Sequence, residues 1–260
     1  MALRIKFCGV RGSIACPSPE HMRYGGNTSC IEVVAGENRF VMDAGTGIRN
    51  LGQTYIRDGV RDIHLLLTHT HWDHINGFPF FGPAYDPSRT VRIRAGHLLK
   101  AGRTIREVLA AQMDSPMFPV PLEAMRAKIT FEDFTAGEEF DLFSDVKIVT
   151  RPLNHPNGAT GYRIEHGGRI AVYITDTEHI IGQDDANVLA LIAGADVVIY
   201  DSTYTEAEFP NRIGWGHSTW NEGMRLCRMA GAKKLAIFHH DPDHNDEFMD
   251  RLADEATRAW

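Results

Sequence analysis

Between Leu65 and Phe81 the chain reads LLLTHTHWDHINGFPFF, which puts His69, His71, Asp73 and His74 within six consecutive positions directly behind an apolar run. Neutral imidazole and carboxylate are the side chains that suit zinc and related divalent ions. Alternate residues of an extended segment point the same way, so His69 and His71 can face one ion. Asp73 and His74 fall where the loop turns, within reach of a second. One cluster cannot complete two sites, and further donors stand in the same setting later in the chain. His155 follows VKIVTRPLN, Asp176 follows RIAVYIT, and the pair His239 and His240 follows KLAIF. Each is an apolar strand tipped by His or Asp. The chain holds 13 histidines, so a single one after a strand means little; the shared setting is what groups these.

Positioning such donors takes strands that end together. LRIKFCGV alternates as a strand and runs into the turn-rich loop RGSIACPSPEHMRYGGNTS. CIEVVAG and RFVMDAG form a hairpin across Gly36, Glu37 and Asn38. TGIRNLGQTYIRDG reads as a helix, with Thr46 as its N-cap and Ile48, Leu51 and Tyr55 on one face. DIHLLLT is a buried strand that delivers the histidine cluster. Residues 98–126 carry a helical pattern (Leu98, Leu99, Ile105, Val108, Leu109) and then DSPMFPVPLEAM, a helical excursion over the main body. Strands resume at AKITFEDF, DVKIVTRPL, TGYRIEHGG and RIAVYITD. A helix over 183–193, a strand DVVIYDST, a helix over 218–231, a strand KLAIFHH and a helix from Asn245 complete the pattern. Strands dominate each half with helices between and after them, which predicts α/β sheets packed on one another with helices outside.

Composition narrows the function. The 260 residues are 43% hydrophobic and 23% charged, and 27 basic against 34 acidic residues leave a net charge of −7. A chain that grips long nucleic acid nonspecifically shows a basic excess, so no long nucleic acid is favoured as partner. A small anionic substrate stays compatible, because bound cations reverse the local field. Cys8, Cys16, Cys30 and Cys227 have no CxxC spacing and read as free thiols. Cys227, in EGMRLCRMA, reads as helix core. Arg4 and Lys6 interrupt the first apolar run and no run is long enough for a membrane span, so a cytoplasmic protein without membrane contact is expected.

The order THTHWDH, His155, YITDTE, FHHDP, with VMDAGTG upstream, resembles the metallo-β-lactamase fold superfamily of metal-dependent hydrolases across essentially the whole chain. VVIYDSTY and GWGHST resemble stretches of its RNase Z branch, and GVRGSIACPSP with RYGGNTSC resembles bacterial hydrolases near that branch and near small phosphodiesterases. The resemblance implies a metallo-β-lactamase-like αββα sandwich, two mixed sheets with helices on the outer faces, formed by one metallo-hydrolase domain over 1–260. It implies two divalent metal ions, Zn first with Mn or Fe as alternatives. His69, His71 and His155 would hold one, Asp73, His74 and His239 the other, and Asp176 would bridge them. His239 is chosen over His240 because it takes the first position after the strand. Asp43 would sit behind the site and orient the ligands.

Asp176, His217, Asp201 and Asp73 are the expected catalytic residues. In that branch an acidic residue orients a histidine that protonates the leaving oxygen; Asp201 here replaces its Glu and would hold His217, a suitable general acid. Ser218 or Thr219 would cap the helix that follows. The implied reaction is hydrolysis of a small phosphodiester or cyclic nucleotide through a metal-bridging hydroxide, by a chain that forms a homodimer as relatives do. Processing of transfer RNA fits less well, since the 98–126 excursion has only Lys100, Arg103, Arg106 and Arg126 as basic residues. A glyoxalase-II-like thioesterase and a noncatalytic ligand-sensing module are the alternatives. RYGGNTS could offer backbone donors to a phosphate or simply turn, and one or two of Phe78, Phe80, Phe81 and Tyr85 could line the pocket. His21, His64, His97, His166, His179 and His244 read as ordinary surface or strand histidines.

Overall fold

A computed structural model describes residues 2–260. The first half forms strands β1 (Leu3–Gly9), β2 (Cys30–Ala35), β3 (Asn38–Met42), β4 (Asp62–Leu67), β5 (Thr90–Ala95) and β6 (Lys128–Asp133); the second forms β7 (Glu139–Phe143), β8 (Val146–Leu153), β9 (Ala159–His166), β10 (Arg169–Ile174), β11 (Val197–Asp201) and β12 (Leu235–Phe238). Each half is one sheet, in order β1-β2-β3-β4-β5-β6 and β12-β11-β10-β9-β8-β7. Both are mixed. The first is antiparallel up to β3 and parallel from β3 to β6, and the second is antiparallel from β7 to β10 and parallel from β10 to β12. Helices α1 (Gly47–Arg57), α2 (Trp72–Ile75), α3 (Ile105–Gln112), α4 (Ala186–Ile192), α5 (Trp220–Met229) and α6 (Asp246–Ala259) connect or follow the strands.

The apolar runs are continuous because both faces of each sheet are covered. Between the sheets, Ile31, Val33, Phe40, Met42 and Leu66 meet Ile148, Tyr162, Ile164, Tyr173, Ile199 and Phe238. The alternate residues Val41, Leu65, Leu67 and Ile93 face outward against Ile48, Leu51 and Tyr55 of α1 and Ile105 and Leu109 of α3. Val172, Ile174, Val198 and Tyr200 likewise meet Val188, Leu191 and Ile192 of α4 and Leu226 and Cys227 of α5. Each such side chain contributes about 1.5–3 kcal/mol by leaving water. The expected four-layer sandwich is therefore the observed architecture, and Cys227 is helix core.

Several expectations change. Strands β5 and β7 were not expected. β5 carries Arg92 and Arg94 at alternate positions, and Arg94 pairs with Glu132 at 2.7 Å across the sheet; charged residues on one face mask a strand whose other face is buried. Thr46 does not cap α1: its hydroxyl accepts the Thr28 N–H at 2.9 Å and donates to Asn27 Oδ1 at 3.1 Å. The 98–126 excursion contains one α-helix, α3, closed by a Thr104–Glu107 capping box and packed on β5 and β6, with short 3₁₀ turns on either side. No helix among the described residues is long and apolar enough to cross a membrane.

Candidate metal centre

The parallel strands of the two sheets end at one edge of the sandwich. Asp43 follows β3, Thr68 and His69 follow β4, Asp176 follows β10, Asp201 closes β11 and His239 follows β12. Asp43, Asp176 and His239 each turn the chain sharply, with φ of +59°, +57° and +62°. Asp tolerates this left-handed backbone better than most residues, and three such turns at one edge mark strain stored around a site.

Two donor groups converge there. His69, His71 and His155 form one, and Asp73, His74, Asp176 and His239 the other, each with ligand atoms within 4.8 Å of one another. Asp176 stands between them. Its Oδ1 lies 3.6 Å from His69 Nε2 and 3.7 Å from His155 Nε2, and its Oδ2 lies 3.1 Å from His74 Nε2 and 3.4 Å from His239 Nε2. His239 Nε2 is 3.1 Å from Asp73 Oδ2. His240 stays outside both groups, buried with its ring edge-on to Tyr24 at 6.2 Å.

The opposite ring nitrogens fix the tautomers. His155 Nδ1 lies 2.8 Å from the Gly216 carbonyl, which can only accept, so Nδ1 carries the proton and Nε2 a lone pair. His74 Nδ1 donates to Asp43 Oδ2 at 2.9 Å, which turns Nε2 toward the other donors. His239 Nδ1 meets Thr203 Oγ1 at 3.0 Å, and that hydroxyl is 2.8 Å from both Asp201 Oδ1 and the His239 carbonyl. His155 Nε2 nevertheless approaches His71 Nδ1 to 3.0 Å, and His74 Nε2 approaches His239 Nε2 to 3.3 Å. His69 Nε2 is buried with no hydrogen-bond partner among the described residues. His155 Nε2, His74 Nε2, His239 Nε2 and the Asp176 and Asp73 oxygens crowd one buried space, an arrangement that positive charge among them, as protons or as metal ions, relieves. The donor set fits divalent metal ions.

Electrostatics follow from burial and neighbours. Burial holds His69 well below its ordinary value and lowers His155 to about 4, so both stay neutral. Burial alone would also lower His74, but Asp176, Asp73 and Asp43 overcome it and raise the ring well above its ordinary value. At His217 burial is likewise outweighed, by Asp201, Asp176 and Asp73, and the value rises to about 9. His217 Nδ1 is 3.0 Å from Asp201 Oδ2 and 3.8 Å from Asp176 Oδ1. Asp201 is wholly buried, and its carboxylate also accepts the Thr177 and Thr203 amides at 3.2 and 3.1 Å.

Behind these donors stand Asp43, as expected, and further residues that no local pattern marks. Thr68 gives its amide to Asp43 Oδ1 at 2.8 Å and Tyr173 gives its hydroxyl to Oδ2 at 2.9 Å. The Ser13 amide donates to Asp73 Oδ2 at 2.8 Å. A Cβ on Gly12 would lie 2.4 Å from the His239 ring, and one on Gly216 2.3 Å from His155 Nδ1. His97 bonds Thr70, between His69 and His71, at 3.1 Å, and His179 bonds Ser218 at 2.7 Å. These two are not ordinary surface histidines. His64 in β4 and His166 at the end of β9 are strand histidines as expected, both buried, and His244 is buried rather than on the surface. Thr219 alone caps α5. In RYGGNTS, the amides of Tyr24, Gly25 and Thr28 are already bonded to Asp246, His21 and Thr46, so the segment ties loops together. Phe78 and Phe81 are core, and Phe80 is exposed.

Known proteins share this fold. The family described as "Beta-lactamase superfamily domain" matches residues 38–240. Ribonuclease Z of Haloarcula marismortui is 25% identical over 302 aligned positions, covering 100% of this chain and 93% of the relative. The metallo-β-lactamase fold protein YhfI of Bacillus subtilis superposes with a TM-score of 0.72 at 18% identity, covering 98% of this chain and 92% of its own. A diphosphatase of the PhnP family superposes with a TM-score of 0.67 at 19% identity, covering 96% and 91%. At these identities the two structural likenesses establish the fold.

Proposed function

The chain belongs to the β-lactamase superfamily, and from that premise we propose that it is a dinuclear-metal phosphodiesterase acting on a small phosphodiester. The observation that carries this reading is Asp176, whose two oxygens divide between the two donor groups. His69, His71 and His155 would hold one ion and Asp73, His74 and His239 the other, with Asp176 shared, and the whole of 1–260 works as one domain. The nitrogen-rich donor set favours zinc. Bound ions in such a centre polarise a phosphoryl oxygen and activate water for attack.

The remaining work falls to the protein. Asp43 keeps His74 in one tautomer, Gly216 does the same for His155, and Thr203 orients His239. His217 holds a proton beside the donors, fixed by Asp201 through Nδ1, with no hydrogen-bond partner on Nε2 among the described residues. That nitrogen is free to protonate a departing alkoxide, a step general acids of this kind accelerate by about 10²–10⁴-fold. A phosphodiester needs such a donor more than a thioester does, because an alkoxide leaves less readily than a thiolate. The ribonuclease name of the sequence relative supports a second reading, in which the diester lies in RNA.

The test is hydrolysis of bis(p-nitrophenyl) phosphate by protein of measured metal content, beside a thioester, a β-lactam and a short RNA. Metal-dependent diester turnover that collapses in Asp176→Ala and His217→Ala is expected. Turnover of the thioester alone would place the chain with thioesterases, and turnover of RNA alone would establish the second reading. Two bound metals with no turnover of any of the four would point to the ligand-sensing module.

A further inference from the structure

Arg212 opens a tight turn that ends at the candidate centre. The Trp215 amide closes the turn on the Arg212 carbonyl at 3.1 Å, and Gly214 and Gly216 take φ of +90° and +86°, which glycine adopts without strain. Glu178 pins it from the other side, one carboxylate oxygen accepting the Gly214 and Gly216 amides at 2.7 and 2.8 Å. The next positions are the Gly216 carbonyl, which takes the His155 proton, and His217. The turn is therefore built rigidly onto the site.

Its outer surface carries two unusual side chains. Trp215 is 60% exposed. The Arg212 guanidinium lies 4.9 Å from the Trp215 ring centroid and 6.0 Å from that of Tyr204, and the Tyr204 ring meets the His217 ring edge-on at 5.9 Å. Unlike Arg225, which is tied to Glu222 and Asp184, the Arg212 side chain has no carboxylate or carbonyl partner among the described residues. Five N–H donors are thus held against the Tyr204 and Trp215 rings, with Tyr204 in turn against His217, and are left without an anionic partner among the described residues, on a chain with an acid excess. Aromatic faces restrain a guanidinium without consuming its donors, so the fork is already ordered when an anion arrives.

We propose that Arg212 reads a second anionic group on the substrate, a phosphate carried on the leaving-group side of the scissile diester. The inference rests on the phosphodiesterase reading and gives its substrate class: a diester with a further terminal phosphate. The leaving-group side follows from Tyr204, whose ring meets both the Arg212 guanidinium and His217, the proposed proton donor to that oxygen. Trp215 supplies a flat apolar wall beside the fork.

The experiment uses zinc-loaded full-length protein, wild type, Arg212→Ala, Arg212→Lys and Trp215→Phe. Steady-state kcat and KM are measured on bis(p-nitrophenyl) phosphate and on a dinucleotide without a terminal phosphate, with a 5′-phosphate, or with a 3′-phosphate. Wild type is expected to prefer one phosphorylated dinucleotide, and Arg212→Ala to lose roughly 10- to 100-fold in kcat/KM on that substrate beyond any loss on the others, mainly through KM. Arg212→Lys keeps the charge without the fork and should fall between. In parallel, tryptophan fluorescence is titrated with adenosine 5′-monophosphate and with adenosine. The nucleotide should perturb a signal absent in Trp215→Phe and bind roughly tenfold or more weakly to Arg212→Ala, with adenosine unaffected. Equal losses on all dinucleotides, or identical nucleotide binding by wild type and Arg212→Ala, would overturn the assignment. Absence of diester turnover in wild type would sink the phosphodiesterase reading instead, and the fluorescence comparison would still decide whether Arg212 holds a phosphate.

Discussion

Two carboxylates stand behind the donors with different tasks. Asp43 holds His74 directly, together with Thr68 and Tyr173, whereas Asp201 holds His217 and reaches His239 only through Thr203. Removing a carboxylate behind a metal-binding imidazole costs roughly 10- to 100-fold in metal affinity. Asp43→Ala should therefore lower zinc content at limiting free zinc, while Asp201→Ala should keep its zinc and lose turnover. Metal analysis after equilibration in a zinc buffer separates them, and equal metal loss in both would refute the division. His217 gives a second residue-scale prediction, for metal-free protein. Its value rises to about 9 in the fold from an ordinary 6.5, despite burial, because of Asp201. Below 6.5 both folded and unfolded chains are protonated there and its contribution is complete. Between 6.5 and 9 only the folded chain keeps the proton, so stability falls as pH rises, by about 3 kcal/mol in total from this group. Urea unfolding in chelator at pH 6.5, 7.5 and 9 should show this decline in wild type and a flatter profile in His217→Gln.

At the scale of elements, the legible parts were those written in short periods. DIHLLLT, KLAIF and VVIYD are apolar runs with a donor at the tip, and that pattern locates the strands and the edge where they end. Strands β5 and β7 escaped although TVRIRA and EFDLF alternate, because both are short, carry charged residues and have no donor at the tip. The loops were less legible, since a loop is shaped by contacts between residues distant in sequence. Nothing local says that the Gly216 carbonyl will take the His155 proton, that Thr203 will sit under His239, or that Glu178 will collect two amides of the 212–217 turn. Only the glycines hinted at close approach. The Glu178 contact can be tested. Glu178→Ala frees the turn that orients His155 and should weaken zinc binding by roughly 10-fold. Glu178→Gln keeps an acceptor oxygen at the same reach and should restore most of it. Competition with a chromophoric chelator measures both, and equal weakening by Gln and Ala would show that the negative charge matters rather than the hydrogen bonds.

For the whole molecule, the consequence is that the candidate centre joins the two sheets. His69, His71, Asp73 and His74 follow β4 of the first sheet, and His155, Asp176 and His239 follow strands of the second. Away from that edge the sheets are held by the inner core, where Phe40, Met42 and Leu66 meet Tyr162, Tyr173 and Phe238. Metal ions would thus fasten one edge of a sandwich that the core already holds. A ligand that binds only the folded chain stabilises it by about 4 kcal/mol at a thousandfold excess over Kd. For a chain of this size each kcal/mol moves Tm by roughly 2–4 °C. Chelation should therefore lower Tm by roughly 8–16 °C and leave the far-ultraviolet circular dichroism below the transition unchanged, because no core contact depends on the ions. Collapse of the spectrum on chelation would mean that the core cannot hold the sheets together. An unchanged Tm with zinc fully removed would mean that the ions do not bridge them. In Asp43→Ala, whose core is intact but whose zinc affinity is reduced, the effect of chelation should shrink at limiting zinc and recover as zinc is raised.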